Sequence, residues 1–299
     1  MSETHNHEKV VSRRTSNFYH GRRAVLATMH GKEAVISPAF RKRLGLRVET
    51  PKGLDTDALG TFTGEIARIG TIRETSIAKA RLGMTTMGIS IGIASEGSYG
   101  PHPHIPFIAG GIELMVVVDD DRGIVVCEHL IDDAPVYDHV ITAEIGDIIS
   151  FLDRICFPDH ALIVRLHQTD DIDAIIYKGL RTVEALTDAI ASAARRSGDN
   201  RALAQTDMRA HMNPTRMATL RRLANALSDR LATPCPGCDV PGYGLIDIES
   251  GLPCEWCGAP SLMVRYQVFG CVACDFRERR PRPEGRTHAD PGQCPQCNP

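Results

Sequence analysis

The chain alternates short apolar runs of strand length with longer stretches whose apolar residues recur at helical spacing. Arg23 to Thr28 (RAVLAT) predicts a buried strand that gives way to Met29, His30, Gly31 and Lys32. Ser37-Pro38 is an N-cap and first-turn pair and Gly45 is a stop, so a helix is predicted near 38–44, with a second strand over Leu46 to Thr50. A loop rich in Gly, Thr and Asp follows over 51–65. Arg73 to Met87 carries Ile77, Ala80, Met84 and Met87 on one helical face. Ile89 to Ala94 predicts a strand that ends in Ser95-Glu96-Gly97-Ser98, and YGPHPHIPF then reads as a proline-rich loop. Ile112–Val118 and Ile124–Leu130 flank DDDRG and predict the clearest hairpin in the chain. Beyond it come a helix near 147–156, strands near 161–166 and 174–178, and a helix from Val183 to Arg196 stopped by Gly198. A last helix opens at Asn213-Pro214 with a stripe of Met217, Leu220, Leu223, Ala224, Leu227 and Leu231. The alternation predicts an α/β or α+β class, a mixed sheet with flanking helices, followed by a small cysteine-rich module.

Composition divides the chain further. Its 299 residues exceed what one core usually needs, and 42% apolar with 24% charged content is globular. The expected organisation is a mobile polar tail at 1–19, an α/β domain at 20–200, an Arg/His segment with a closing helix at 201–232, and a zinc module at 233–299. The first residues hold charges but no apolar core of a secretory signal, and the longest apolar run, Ile112–Val118, is cut off by Asp119, Asp120 and Asp121. A cytoplasmic protein with no membrane contact is expected. Charge is uneven: residues 1–50 hold 10 Lys/Arg against 4 Asp/Glu, residues 51–232 hold 18 against 25, and residues 233–299 hold 6 against 8.

Eight of the ten cysteines fall after residue 233, as four CxxC knuckles: Cys235/Cys238, Cys254/Cys257, Cys271/Cys274 and Cys294/Cys297. Two residues between thiols let both sulfurs of a tight turn reach one tetrahedral Zn²⁺, so four knuckles supply two closed four-thiolate sites. In a reducing compartment this pattern favours metal over disulfides or redox pairs. Gaps of 15, 13 and 19 residues suit sequential pairing, first with second and third with fourth; a nested pairing competes, because CEWCGAPSLMVRYQVFGCVAC reads as one compact ribbon. Both remain open. Cys127 and Cys156, alone in apolar stretches, read as buried small hydrophobes.

Three segments carry a resemblance. AVLATMHGK (24–32), ETSIAKARLGM (74–84) and GISIGIASEGS (88–98) resemble, in order, the opening strand with its Gly-Lys phosphate loop, the Glu…Lys-Ala helix, and the acidic metal-binding strand end of the inosine triphosphate pyrophosphatase-like superfamily. That superfamily includes the Maf proteins and the inosine/xanthosine triphosphatases, and the likeness spans roughly residues 22–130. NPTRMATLRRL (213–223) is faintly similar to the helix with which some members read a purine base. Departures accompany it: one carboxylate in SEGS, a helix delayed to Pro38, and Thr215-Arg216 in place of Ser-His-Arg. The whole chain, knuckles included, also resembles a bacterial family known only as a domain of unknown function.

The superfamily resemblance implies Mg²⁺-dependent hydrolysis of a nucleoside triphosphate or related nucleotide. Glu96 and Glu74 would hold the metal or activate water, and Lys32 would meet a phosphate. Thr28, His30, Gly31, Lys79, Gly97, Ser98, Arg209, His211 and Arg216 would bind phosphate or nucleotide. The bland readings are an exposed turn for Gly31-Lys32 and a solvated first turn for Glu74, where acids are favoured. His102-Pro-His104 reads as a lid loop rather than a metal site, for want of an acidic partner nearby. The opposing function is a non-enzymatic adaptor, in which the zinc module contacts nucleic acid or protein through Arg277, Arg279, Arg280, Arg282 and Arg286.

Overall fold

A computed structural model describes residues 18–60, 68–169 and 176–299; the tail expected over 1–19 lies largely outside these, as do the end of the loop expected over 51–65 and the start of the strand expected over 174–178. Among the described residues the fold is mixed α/β with three sheets and five helices, and it divides into two compact units, Gly21–Asp229 and the segment Arg230–Pro299 with residues 18–20.

The first unit opens with β1 (Arg23–Leu26), α1 (Glu33–Leu44), β2 (Arg47–Glu49), α2 (Ile72–Met87), β3 (Ile91–Pro101), β4 (Ala109–Asp119) and β5 (Ile124–Asp132). These strands form one sheet in the order β2-β1-β3-β4-β5, parallel across β2-β1-β3 and antiparallel from β3 onward. β1 connects to β2 on one side, and the connection from β2 returns past β1 to β3 on the other, so the β1–β3 boundary is a topological switch point, where open α/β sheets bind ligands.

α1 begins at Glu33, directly behind Gly31-Lys32, instead of at the expected Pro38. Pro38 removes one intrahelical donor, yet the helix runs through it because Val35, Ile36, Ala39, Phe40 and Leu44 are all buried. α2 starts with a capping box: the Thr71 hydroxyl accepts from the Glu74 amide and the Glu74 carboxylate accepts from the Thr71 amide. Its apolar face packs on Val25, Ala27, Ala94, Val116 and Val118 through Ala80 and Met84. Gly92 permits that approach, since a Cβ there would lie 2.7 Å from the Ala80 carbonyl. β3 does not stop at Ala94. Ser95, Glu96, Gly97 and Ser98 stay in the ladder opposite Met115, Leu114, Glu113 and Ile112, so the expected turn is strand.

A second sheet holds β6 (His139–Thr142), β7 (Leu162–Leu166), β8 (Tyr177–Leu180) and β9 (Ala202–Thr206) in the antiparallel order β6-β9-β7-β8. α3 (Ile149–Arg154) and α4 (Val183–Arg196) cover it, burying Phe151, Leu152, Leu186, Ile190 and Ala193 against Leu162, Val164, Ala202 and Ala204. α5 (Pro214–Leu231) follows, with Leu220, Leu223, Ala224, Leu227 and Leu231 of the predicted stripe fully buried and Met217 half-buried.

In the second unit β10 (Gly244–Ser250), β11 (Val264–Gly270) and β12 (Arg277–Pro281) form an antiparallel meander with a cysteine knuckle before, between and after the strands. Among the described residues no helix is long and apolar enough to cross a membrane.

Candidate functional site

β1 leaves the sheet early. Its last ladder bond is Ala27 N–H to Ile93 O, 2.9 Å, while β3 continues for eight residues past Ile93. Among the described residues no strand covers the edge that the Ser95 and Gly97 carbonyls face beyond β1, and two cationic side chains reach it. Lys32, the residue before α1, donates from Nζ to Ser95 O and Ser95 Oγ, both at 3.0 Å. Arg68 donates to Gly97 O at 2.8 Å and lies 3.8 Å from Glu96. The result is a narrow crevice lined by Thr28, Met29, His30, Lys32, Lys79, Ser95, Glu96 and Arg216, among others.

Two ion pairs stand beside Lys32. Lys79 on α2 holds Glu96 on β3 at 2.5 Å, both about 8% exposed at the side chain. Arg216 on α5 holds Glu113 on β4 at 2.6 Å, both essentially without exposure. Tyr99 donates its hydroxyl to the same Glu113 oxygen at 2.8 Å, and Arg216 also donates to Met208 O. Glu113 Oε2 is buried with no hydrogen-bond partner. Burial, then the Arg216 guanidinium, presses Lys32 from the ordinary lysine range down to about 8. Burial likewise raises the Tyr99 hydroxyl, with Glu113 adding to it, so the phenol stays a donor.

At the mouth, His30 and His211 stack with centroids 5.2 Å apart. Burial pushes His30 down to about 4 against the pull of Asp57, 3.5 Å away, and burial also lowers His211. Burial thus favours the neutral form of both imidazoles.

Sequence reasoning placed Lys32, Glu96, Lys79, Thr28, His30 and Arg216 in one site, and all six line the crevice. Gly31 takes a left-handed φ of 66° and turns the chain into α1. Glu74 is a correction: it is exposed and bound to the Thr71 amide and hydroxyl, so it caps α2 and does not join Glu96. Gly97 is not needed for a turn. A Cβ there would lie 2.4 Å from Glu113 Oε1 and 3.0 Å from the Arg216 guanidinium, so only glycine lets that pair cross β3. Ser98 is exposed, and Arg209 is taken up by three bonds to the Asp207 carboxylate. His102 does have an acidic partner, Asp133 at 2.9 Å, while its Nδ1 accepts the amides of His104 and Ile105, so it clasps its own loop. Reading the sequence missed Glu113, Tyr99 and Arg68. For Glu113 a signal existed: it falls in period-two phase with Met115 and Val117, which are buried on the face of β4 opposite Val116 and Val118.

The eight knuckle cysteines form two groups, Cys235/Cys238/Cys271/Cys274 and Cys254/Cys257/Cys294/Cys297, each with its sulfurs within 4.8 Å of one another. The pairing is first with third and second with fourth, neither sequential nor nested. Each strand of the meander carries the chain to the opposite end of the sheet, roughly 20 Å for seven residues, so consecutive knuckles cannot share an ion. Sulfur–sulfur distances are 3.8 Å for Cys235–Cys274 and Cys254–Cys297, and 3.6 Å for Cys238–Cys271 and Cys257–Cys294. A tetrahedron with Zn–S of roughly 2.3 Å has edges near 3.8 Å, whereas a disulfide needs about 2.05 Å. The donor set fits a metal ion such as Zn²⁺, which would serve as a structural cross-link with no ligand position left open. Gly237 and Ala273 amides donate to Cys235 and Cys271 sulfurs at 3.3 and 3.2 Å. Of the other two cysteines Cys127 is half-buried, while Cys156 is exposed and not the buried hydrophobe expected.

No curated protein matches the chain in a sequence comparison. A family described as a domain of unknown function, DUF6671, matches residues 79–299, a span that takes in Lys79, Glu96, Glu113, Arg216 and all eight knuckle cysteines. With that match covering well over half of its length, the chain belongs to the DUF6671 family.

Proposed function

We propose that the β1–β3 crevice binds the phosphoryl group of a nucleotide or related phosphorylated small molecule, and that the chain hydrolyses a phosphoanhydride there. One observation carries this: three buried cations, Lys32, Lys79 and Arg216, face two buried carboxylates, Glu96 and Glu113, each already paired. Lys32 is left with two neutral oxygens as partners. A buried ammonium without a counter-charge is costly, and a phosphate supplies that charge. The N-terminal end of the twelve-residue α1 adds positive potential beside it. The resemblance of 24–32, 74–84 and 88–98 to the inosine triphosphate pyrophosphatase-like proteins supports the same substrate class.

In hydrolysis Lys32 and Arg216 would neutralise charge growing on the phosphate oxygens. Glu96 would accept a proton from water once Lys79 turns toward the phosphate. The carboxylate pair expected to hold Mg²⁺ does not assemble, because Glu74 is engaged at the α2 cap. The cysteine sites we assign to two structural zinc ions.

The test is a panel of phosphate, pyrophosphate and common and deaminated nucleoside triphosphates, with and without Mg²⁺, read by calorimetry and by release of phosphate and pyrophosphate. Binding of at least one compound, lost in Lys32→Met, is expected. A folded, metal-loaded protein indifferent to every phosphorylated compound refutes the assignment.

A further inference from the structure

We infer that β10 is an open docking edge that accepts, by strand addition, an extended peptide of alternating apolar and basic residues from a protein partner. The meander has two edges, and they differ. β12 reads Arg277-Glu278-Arg279-Arg280-Pro281, and charged side chains with a terminal proline are what blunt an edge against pairing. β10 reads Gly244-Leu245-Ile246-Asp247-Ile248-Glu249-Ser250, with no Lys, Arg or Pro. Its Leu245, Ile246 and Ile248 are 41%, 41% and 52% exposed. Register irregularities at Leu245/Asp247 and Glu249/Ser250 bend the strand, yet Asp247–Glu249 stay in register with Val268–Tyr266.

The exposed aliphatics extend a formed surface. Leu245 lies opposite Phe269 and Ile248 opposite Gln267, which places them on one face of the sheet. On that face Arg280 sits 4.2 Å over the Phe269 ring and 5.8 Å over Tyr243. An added strand would continue this apolar and aromatic platform and pair with the outer edge of β10, a terminal strand of the sheet among the described residues.

Charge selects the occupant. Three of the five arginines expected to form a cationic stripe are held in ion pairs within the module: Arg279 with Glu249, Arg280 with Glu278 and Arg282 with Glu284. Residues 233–299 hold 6 Lys/Arg against 8 Asp/Glu, and each zinc with four thiolates adds a charge of about −2. Nucleic acid is therefore disfavoured. Self-pairing of two copies about Asp247 would set acid against acid, which disfavours a second copy. A strand bearing Lys or Arg between apolar residues meets neither obstacle.

The experiment pans a phage-displayed library of random peptides on the zinc-loaded full chain. Enriched peptides are then measured by fluorescence anisotropy and by amide hydrogen exchange. The expected result is enrichment of alternating apolar and basic residues, slowed exchange confined to 244–250, and roughly tenfold weaker binding to Leu245→Lys/Ile248→Lys with its zinc content intact. Enrichment of acidic or non-alternating peptides, protection elsewhere, displacement by single-stranded RNA, or self-association that protects 244–250 without peptide each overturns the inference.

Discussion

At the scale of the residue, Lys32 is the informative group, because burial and Arg216 bring it from 10.5 to about 8 while Ser95 offers it only neutral oxygens. In the unfolded chain the ordinary value returns. Between the two values the unfolded state binds the extra proton, so the stability this group contributes is complete above the unfolded value and is lost as pH falls through about 8. Lys32→Met is expected to be at least as stable as wild type at neutral pH while losing phosphate affinity, the signature of a functional charge and not of a structural edge cap. A bound anion favours the ammonium, which reverses the sign for binding: affinity is expected to fall as pH rises through about 8, with proton uptake on binding measured by calorimetry in buffers of differing ionisation enthalpy. A flat pH profile with no proton uptake would separate Lys32 from the ligand. Glu96 behaves differently. Its partner Lys79 is buried at 2.5 Å, so Glu96→Gln strands an ammonium and is expected to cost about 3–5 kcal/mol, against a smaller loss in Glu96→Gln/Lys79→Met. Denaturant unfolding of wild type and these two variants checks this, and activity comparisons belong on the double variant.

At the scale of the element, β3 organises the crevice. It outlasts β1, keeps its ladder with β4 as far as Pro101, and carries Ser95, Glu96 and Gly97 across the gap. Gly97→Ala pushes a methyl into the Glu113 carboxylate and is expected to cost about 1–3 kcal/mol and to shift Arg216 out of the crevice. Thr71→Ala, by contrast, removes the α2 cap for about 1 kcal/mol and leaves phosphate binding unchanged, since Glu74 faces Thr71 and not the ligand. Thermal melts with and without phosphate distinguish the two. Most elements were legible in the sequence: α4 runs over Val183–Arg196 as its caps indicate, and the 112–130 hairpin follows from two β-branched runs around a turn. Three features were not. The SEGS stretch of β3 looks like a turn by composition, but β4 pairs it through, which is a tertiary override of local preference. Pro38 looks like a helix start, but burial of five apolar residues carries α1 past it. β6 and β9 are four and five residues long, too short for period-two alternation to stand out. In the site, residue types in loops were readable by motif, whereas Glu113 and Arg68 gain meaning only when the sheet brings them to the Ser95–Gly97 edge.

At the scale of the whole molecule, the two units rest on different physics. Gly21–Asp229 buries two apolar clusters under two sheets, whereas the cysteine-rich module keeps few large side chains buried, chiefly Tyr243, Leu252 and Val268. A segment of that size with so small a core needs cross-links, and the two four-cysteine groups are placed to supply one at each end of the meander. The crossed pairing makes a prediction that sequential or nested pairing does not share. Cys235→Ser/Cys238→Ser is expected to drop zinc from two ions per chain to one, and adding Cys271→Ser/Cys274→Ser is expected to remove no more, because both knuckles serve one ion. Adding Cys254→Ser/Cys257→Ser to the first pair instead is expected to remove the second ion as well. Elemental analysis reads the stoichiometry, and hydrogen exchange reads the fold: with one ion gone, protection should be lost first near 235–238 and 271–274 and persist at the far end. Sequential pairing would instead let Cys254→Ser/Cys257→Ser combine with the first pair at no further loss of zinc, and that outcome would dismantle the crossed arrangement together with the strand-length argument behind it.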